Sequence, residues 1–147
     1  RNIATCGLTS NVTSLTANAY TNVSLNKSLI TGARLTFSSG GIVIGKGVSK
    51  ILVSGQMVIQ ATNKAGVRYF RIIRNNDATK VVTWICGTAP AGSQYPLILT
   101  PALSEVQEGD VITMQYYTID SNDQIISSQM SSANYGTRTN MTIEVVG

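Results

Sequence analysis

The sequence predicts an all-β fold, a sandwich or barrel of roughly eight to ten short strands. Three observations carry this reading. The chain is rich in Ser, Thr and Asn, with 13 glycines and only 12% charged residues, a balance that suits strands and turns and leaves little for helices. Apolar residues recur at every second position in segment after segment, the period of a half-buried strand. Turn-forming residues separate those segments at intervals of roughly eight to twelve residues. The whole chain, 1–147, is read as one domain. A chain of that size buries about 68–70% of its unfolded surface, enough for a substantial core.

Residues 3–9 (IATCGLT) form a short apolar strand, and residues 14–25 (SLTANAYTNVSL) alternate loosely. Residues 33–37 (ARLTF) and 41–45 (GIVIG) flank Ser38-Ser39-Gly40, a turn or bulge signal. Residues 48–61 (VSKILVSGQMVIQA) are the clearest long strand: Ile51, Val53, Met57 and Ile59 share one face, and Ser54, Gln56 and Gln60 the other. Residues 67–74 (VRYFRIIR) and 80–86 (KVVTWIC) flank Asn75-Asn76-Asp77, a hairpin turn because Asn and Asp tolerate left-handed backbone angles. On the first of these strands Arg68, Arg71 and Arg74 are candidate contacts for an anionic cell-wall polymer, but Arg68 and Arg74 share a face and Arg71 takes the opposite one, so they form no single patch.

Residues 87–96 (GTAPAGSQYP) read as a loop, and 97–106 as a strand broken by Pro101. The turn Glu108-Gly109-Asp110 opens a strand over 110–119 that is apolar on both faces. Ile112, Met114 and Tyr116 are assigned to the core, and Val111, Tyr117 and Ile119 to the outward face. A polar turn (120–124), a short strand (125–130) and a loop (131–136) precede the closing strand at 137–146, where Met141, Ile143 and Val145 point one way.

Composition excludes several function classes. The net charge of +4 comes from 11 basic and 7 acidic residues that are mostly scattered, so no nucleic-acid partner is expected. The chain has no histidine, the usual general base and the commonest metal ligand. The pairs Lys27-Ser28 and Ser49-Lys50 are strand neighbours and point to opposite faces, and Glu108 and Asp110 serve a turn. The chain is therefore expected not to be an enzyme and to carry no cofactor. Cys6 and Cys86 are too few for a disulfide scaffold or a four-cysteine zinc site, and both are read as buried free thiols. Asp120, Asn122 and Asp123 make an oxygen-rich loop too short for a dedicated calcium site; it reads as an Asx turn, and no metal is expected. No apolar run approaches the ~18 residues of a spanning helix, so membrane insertion is not expected.

Saccharide binding is the chemistry these side chains supply best. Sugars take an aromatic platform for their C–H face and planar donors and acceptors for their hydroxyls. The candidates are Trp84, Tyr95, Tyr135, Arg138, Asp120 and Asp123. Trp84, flanked by Thr83 and Ile85 within a strand, has a competing role as a core residue.

Four pieces in order resemble the tumour necrosis factor/complement globular-head superfamily. They are Gly45-Lys46-Gly47 leading into the long strand, Arg74-Asn75-Asn76 ending a hairpin strand, the Leu103 to Tyr116 unit with its Glu-Gly-Asp turn, and a final strand at the end of the chain. The match covers roughly residues 30–147, and the Glu-Gly-Asp unit is its most specific part. The polar style, with Phe37 and Phe70 the only phenylalanines, is most similar to the trimeric tip domains of bacteriophage tail fibres and baseplate receptor-binding proteins.

The resemblance implies a jelly-roll β-sandwich that forms a homotrimer, the C-terminal head of a longer protein in a virion tail or baseplate or otherwise extracellular. Its partner would be a bacterial surface saccharide or cell-wall polymer. Three-fold packing would set Val111, Tyr117 and Ile119 against the axis or a neighbouring protomer. The alternatives are a structural trimerisation or capping domain of a virion or bacterial surface protein, and a secreted complement-like ligand that binds a protein receptor.

Overall fold

The clearest alternation in the sequence becomes the spine of the molecule. A computed structural model describes residues 2–30, 32–38, 40–127 and 138–147, with Leu29 described by its backbone alone. In it the strand β6 (Lys50–Gln60) runs unbroken for 11 residues, and Ile51, Val53, Met57 and Ile59 are fully buried on its inner face. β10 (Ala102–Glu105) and β9 (Gln94–Ile98) pair in turn along one edge of β6, and β13 (Asn140–Val145) and β12 (Gln124–Ile125) along the other. β1 (Ile3–Gly7) and β3 (Lys27–Ile30) extend the first sheet, whose order is β10-β6-β13-β1-β3.

The second sheet has the order β4 (Leu35–Ser38), β5 (Gly41–Ile44), β11 (Val111–Thr118), β7 (Gly66–Arg74), β8 (Val81–Ala89), with β2 (Ala19–Val23) also paired to β11. All named strand pairings are antiparallel, and no helix occurs among the described residues. The two sheets pack as a jelly-roll sandwich around one apolar core. Gly55 sits on the inner face of β6, where a Cβ would meet Ile72 at 3.3 Å and Phe70 at 3.5 Å, so the missing side chain lets the facing sheet close in.

On β11, Ile112, Met114 and Tyr116 are fully buried in the core, as the alternation predicts. Both turns beside it depend on left-handed backbone: Asn75 and Asn76 have φ of 56° and 52°, and Gly109 has φ of 87°. One clasp joins them. Asn75 Nδ2 donates to Asp110 Oδ1, and the Val111 amide donates to Asn75 Oδ1, each at 2.9 Å.

Several boundaries differ from the sequence reading. β8 continues to Ala89 by pairing Gly87, Thr88 and Ala89 with the start of β7, and β9 begins at Gln94, so the loop expected at 87–96 shrinks to 90–93. Pro96 is tolerated inside β9 because that strand flanks β6 on one side only. The segment 14–25 yields only the five residues of β2, because Ser14 and Asn18 adopt φ of 60° and turn the chain. β3 was not anticipated; its KSLI sequence is too short to show a period, and it forms by pairing with β1. Of the strand expected at 125–130, Ile125 pairs with β6, and residues 128–130 lie outside the described residues. Cys6 is buried as expected, but Cys86 is exposed because it falls on the outward face of β8.

One polar cluster lies inside this core. Arg68 and Asp123 are both fully buried in side chain and form a forked ion pair, with Nε 2.7 Å from Oδ2 and Nη2 3.1 Å from Oδ1. Asp123 Oδ2 also accepts from Tyr116 Oη at 2.8 Å and Thr118 Oγ1 at 2.6 Å. Arg68 also donates to the carbonyls of Gly66 and Lys64, at 3.1 and 2.8 Å. Burial pushes the Asp123 carboxyl upward, but the hydrogen bonds from Arg68, Thr118 and Tyr116 outweigh it and hold the group below the usual carboxylate range.

Asp123→Asn leaves the Arg68 guanidinium buried without its counter-charge, and a loss of about 3–5 kcal/mol in urea unfolding is expected. The folded-state value of Asp123 lies below the unfolded value of about 3.9. Its stabilisation is therefore complete above that pH and drains away as pH falls toward the folded value. Urea midpoints measured from pH 6 down to about pH 2 should fall more steeply for the native chain than for Asp123→Asn.

Candidate functional site

The outward face of the second sheet carries an aromatic cluster built by strand register. On β7 the outward positions are Val67, Tyr69 and Arg71, opposite in sense to Arg68, Phe70 and Ile72. The hairpin places Trp84 across from Arg71 and Cys86 across from Tyr69. On the other side, β11 sets Tyr117 across from Tyr69 and Gln115 across from Arg71. Tyr20 arrives from β2. The Tyr69 and Tyr117 rings meet edge to face with centroids 5.4 Å apart, Tyr20 and Tyr117 lie 5.5 Å apart, and Tyr69 and Trp84 6.4 Å apart.

Arg71 is the centre of this surface. Its guanidinium carbon lies 3.6 Å above the centre of the Tyr20 ring. Its Nε donates to Gln115 Oε1 at 2.7 Å, and Gln115 Nε2 donates to Asn22 Oδ1 at 2.7 Å. This relay fixes which end of the Gln115 amide faces the arginine. Burial pushes the Tyr20 phenol up, against the opposing pull of Arg71, so the ring beneath the cation is neutral at physiological pH. Tyr20, Tyr69, Arg71, Val81 and Trp84 line an open concavity of about 330 Å³. Trp84 is 61% exposed on its outer wall.

Trp84 is thus a surface residue and not a core one. The other residues singled out from the sequence do not join it. Tyr95 lies on the inner face of β9, half-buried, with its ring against Gly87. Arg138 is half-buried just before β13, and Tyr135 lies outside the described residues. Asp120 and Asp123 are buried, which corrects their assignment to a binding surface. Asp120 accepts from the amides of Asn122 and Asn63, each at 2.9 Å, and closes the Asx turn; Asp123 holds Arg68. Val111, Tyr117 and Ile119 do face outward from β11, but each is half-buried within its own chain.

Of Tyr20, Tyr69 and Arg71, sequence reasoning missed the first two and set Arg71 aside because it shares no face with Arg68 and Arg74. The signal for two of them was present: Tyr69 and Arg71 occupy the face opposite Arg68, and the Asn75-Asn76 hairpin folds Trp84 back onto that face. Nothing local ties Tyr20 to them, because β2 reaches β11 across roughly a hundred residues of sequence.

No protein-family model and no curated protein sequence matches the chain. Its backbone is similar to crystal structures of murine APRIL. The structure at pH 5.0 superposes with a TM-score of 0.70 at 10% identity, over 99% of this chain and 98% of that one. The structures at pH 8.0 and pH 8.5 give TM-scores of 0.69 and 0.62, each at 9% identity and the same coverage. The likeness is one of fold, and it establishes the TNF-like jelly roll that the sequence resemblance implied.

The two thiols should separate by reactivity. Burial pushes the Cys6 thiol up to about 12, and its side chain is enclosed, whereas Cys86 is exposed beside the aromatic cluster. Mass spectrometry after iodoacetamide treatment of the folded chain should find Cys86 modified and Cys6 untouched until the chain is unfolded.

Proposed function

We propose that this chain is an extracellular recognition head that binds saccharide on the outward face of its second sheet and works as a homotrimer. The observation that carries the reading is the solvent-facing Trp84 beside Tyr69 and Arg71. Flat aromatic faces accept the C–H face of a sugar ring, and a fixed guanidinium supplies directed donors for its oxygens. The concavity is shallow and open, a shape suited to one or two units of a polymer and to weak single-site affinity. Three sites on one assembly multiply that affinity by raising effective concentration. A binding role of this kind needs no catalytic group. With the resemblance to phage tail-fibre and baseplate tips, the reading extends to a virion protein that engages bacterial surface saccharide or cell-wall polymer.

Two faces are candidates for the protomer contact. Val111, Tyr117 and Ile119 are partly covered by their own chain, so they remain secondary candidates. The first sheet instead presents Ile98, 58% exposed, and Leu103, 63% exposed, on its outward side. Leu103 lies across from Leu52, Ile98 across from Gln56 and Pro96 across from Val58, which makes an apolar stripe along β6 interrupted by Ser54 and Gln56. We assign the protomer contact to that stripe. A second reading keeps the same trimer and gives the aromatic cluster to a protein receptor, since Trp, Tyr and Arg are also the residues that dominate protein interfaces.

Light scattering at micromolar concentration should report three protomers for the native chain and one for Leu103→Asp. A native chain that stays monomeric there overturns the trimer. On a glycan array and on bacterial cell-wall extract, the native chain should bind and Trp84→Ala should bind about tenfold or more weakly, the equivalent of ~1.4 kcal/mol or more. Binding to a protein extract with no response to any glycan favours the receptor reading.

A further inference from the structure

The three arginines of β7 are not equivalent. Arg68 has Asp123 at 2.7 Å, and Arg74 has Asp110 at 3.5 Å. Arg71 has no carboxylate partner among the described residues; its contacts are the amide oxygen of Gln115 and the ring of Tyr20. The surrounding strands cannot supply one. β2 (AYTNV), β7 (GVRYFRIIR), β8 (VVTWICGTA) and β11 (VITMQYYT) contain no Asp or Glu. Gln115 is itself 8% exposed and is committed on both sides, to Arg71 and to Asn22. A half-buried guanidinium is thus oriented by a neutral relay and left with its charge uncompensated, beside an exposed indole.

Resting on the saccharide reading above, we infer that this concavity selects sugars bearing an anionic group, a carboxylate or a phosphate, which closes on Arg71 while the ring lies against Trp84 and Tyr69. Arg is suited to this role because its planar fork matches both groups with two parallel hydrogen bonds. The anion supplies the counter-charge that the fold withholds, in a surface partly screened from water by four aromatic rings. The aromatic wall supplies what an inorganic anion cannot use. Neutral sugars keep the stacking and lose the charge-assisted pair.

Trp84 is the only tryptophan in the chain, so its fluorescence reports this site alone. The full chain is titrated with glucuronate, glucose 6-phosphate, glucose and inorganic phosphate. A saturable change is expected for one or both charged sugars, with affinity about tenfold or more above that for glucose. Raising NaCl from about 0.05 to 0.5 M should weaken the charged sugars and leave glucose unaffected. Arg71→Gln should bind the charged and neutral sugars alike. If that variant does not fold, the salt dependence of the native chain decides. Equal affinity for glucose and the charged sugars overturns the inference and leaves saccharide binding standing. Inorganic phosphate binding as tightly as glucose 6-phosphate also overturns it, since the rings would then contribute nothing. No response to these probes and none on the glycan array removes the saccharide reading and the inference together.

Discussion

The buried pair of Arg68 and Asp123 is the constraint on which the rest of the sandwich depends. Both charges are fully enclosed, and each is matched by hydrogen bonds that leave little of its capacity unused. Arg68 belongs to β7, Tyr116 and Thr118 to β11, and Asp123 to the turn that follows; the accepting carbonyls are that of Gly66, which opens β7, and that of Lys64 in the link between β6 and β7. One polar knot therefore fixes the register of β7 against β11 at the end where the second sheet meets the chain leaving β6. An apolar cluster tolerates sliding by a residue pair; a forked ion pair does not. That register is what places Tyr69, Arg71 and Tyr117 together on the other side of the same strands. The inner ion pair and the outer aromatic cluster are two faces of one alignment.

The two-sided apolarity of β11 finds its explanation here. Ile112, Met114 and Tyr116 fill the sandwich, and on the reverse face Tyr117 packs between Tyr69 and Tyr20 of its own chain. Much of the outward apolar surface is thus satisfied within one protomer. The sheet faces divide the labour. The second sheet's outer side is aromatic and cationic. The first sheet's outer side joins an aliphatic stripe at Leu52, Ile98 and Leu103 to a hydroxyl-rich band where Thr5 and Thr142 bond at 2.8 Å.

What was legible in the sequence was whatever the local chain decides. The spine β6, the inner face of β11, the Asn75-Asn76 hairpin and the Glu-Gly-Asp turn follow from period and from backbone tolerance over a few residues. β3 was not legible, and β2 was legible only within the longer 14–25 segment, because where each begins and ends depends on partners far along the chain. The same divide runs through the site. Trp84 was visible as an aromatic with a possible surface role, but Asp120 and Asp123 looked like surface acceptors because a polar DSNDQ turn normally faces water. Only the fold brings Arg68 to that turn, and an arginine among apolar residues on a strand gives no sign of where its counter-charge lies. Arg71 was already assigned to the face opposite Arg68. The missing step was the hairpin register that brings it to Trp84.

The aspartates of the chain bear on how the charge of the fold responds to pH. Asp77 and Asp120 are held below the usual range by hydrogen bonds, chiefly from Thr79 and from the Asn122 amide, and Asp110 and Asp123 are held there although burial pushes the other way. The chain has no histidine, the one side chain whose ordinary titration falls between pH 5 and 8. The four aspartates stay ionised throughout that interval. The carboxylate charges that brace the turns and the buried ion pair are therefore the same in an acidified medium as in a neutral one.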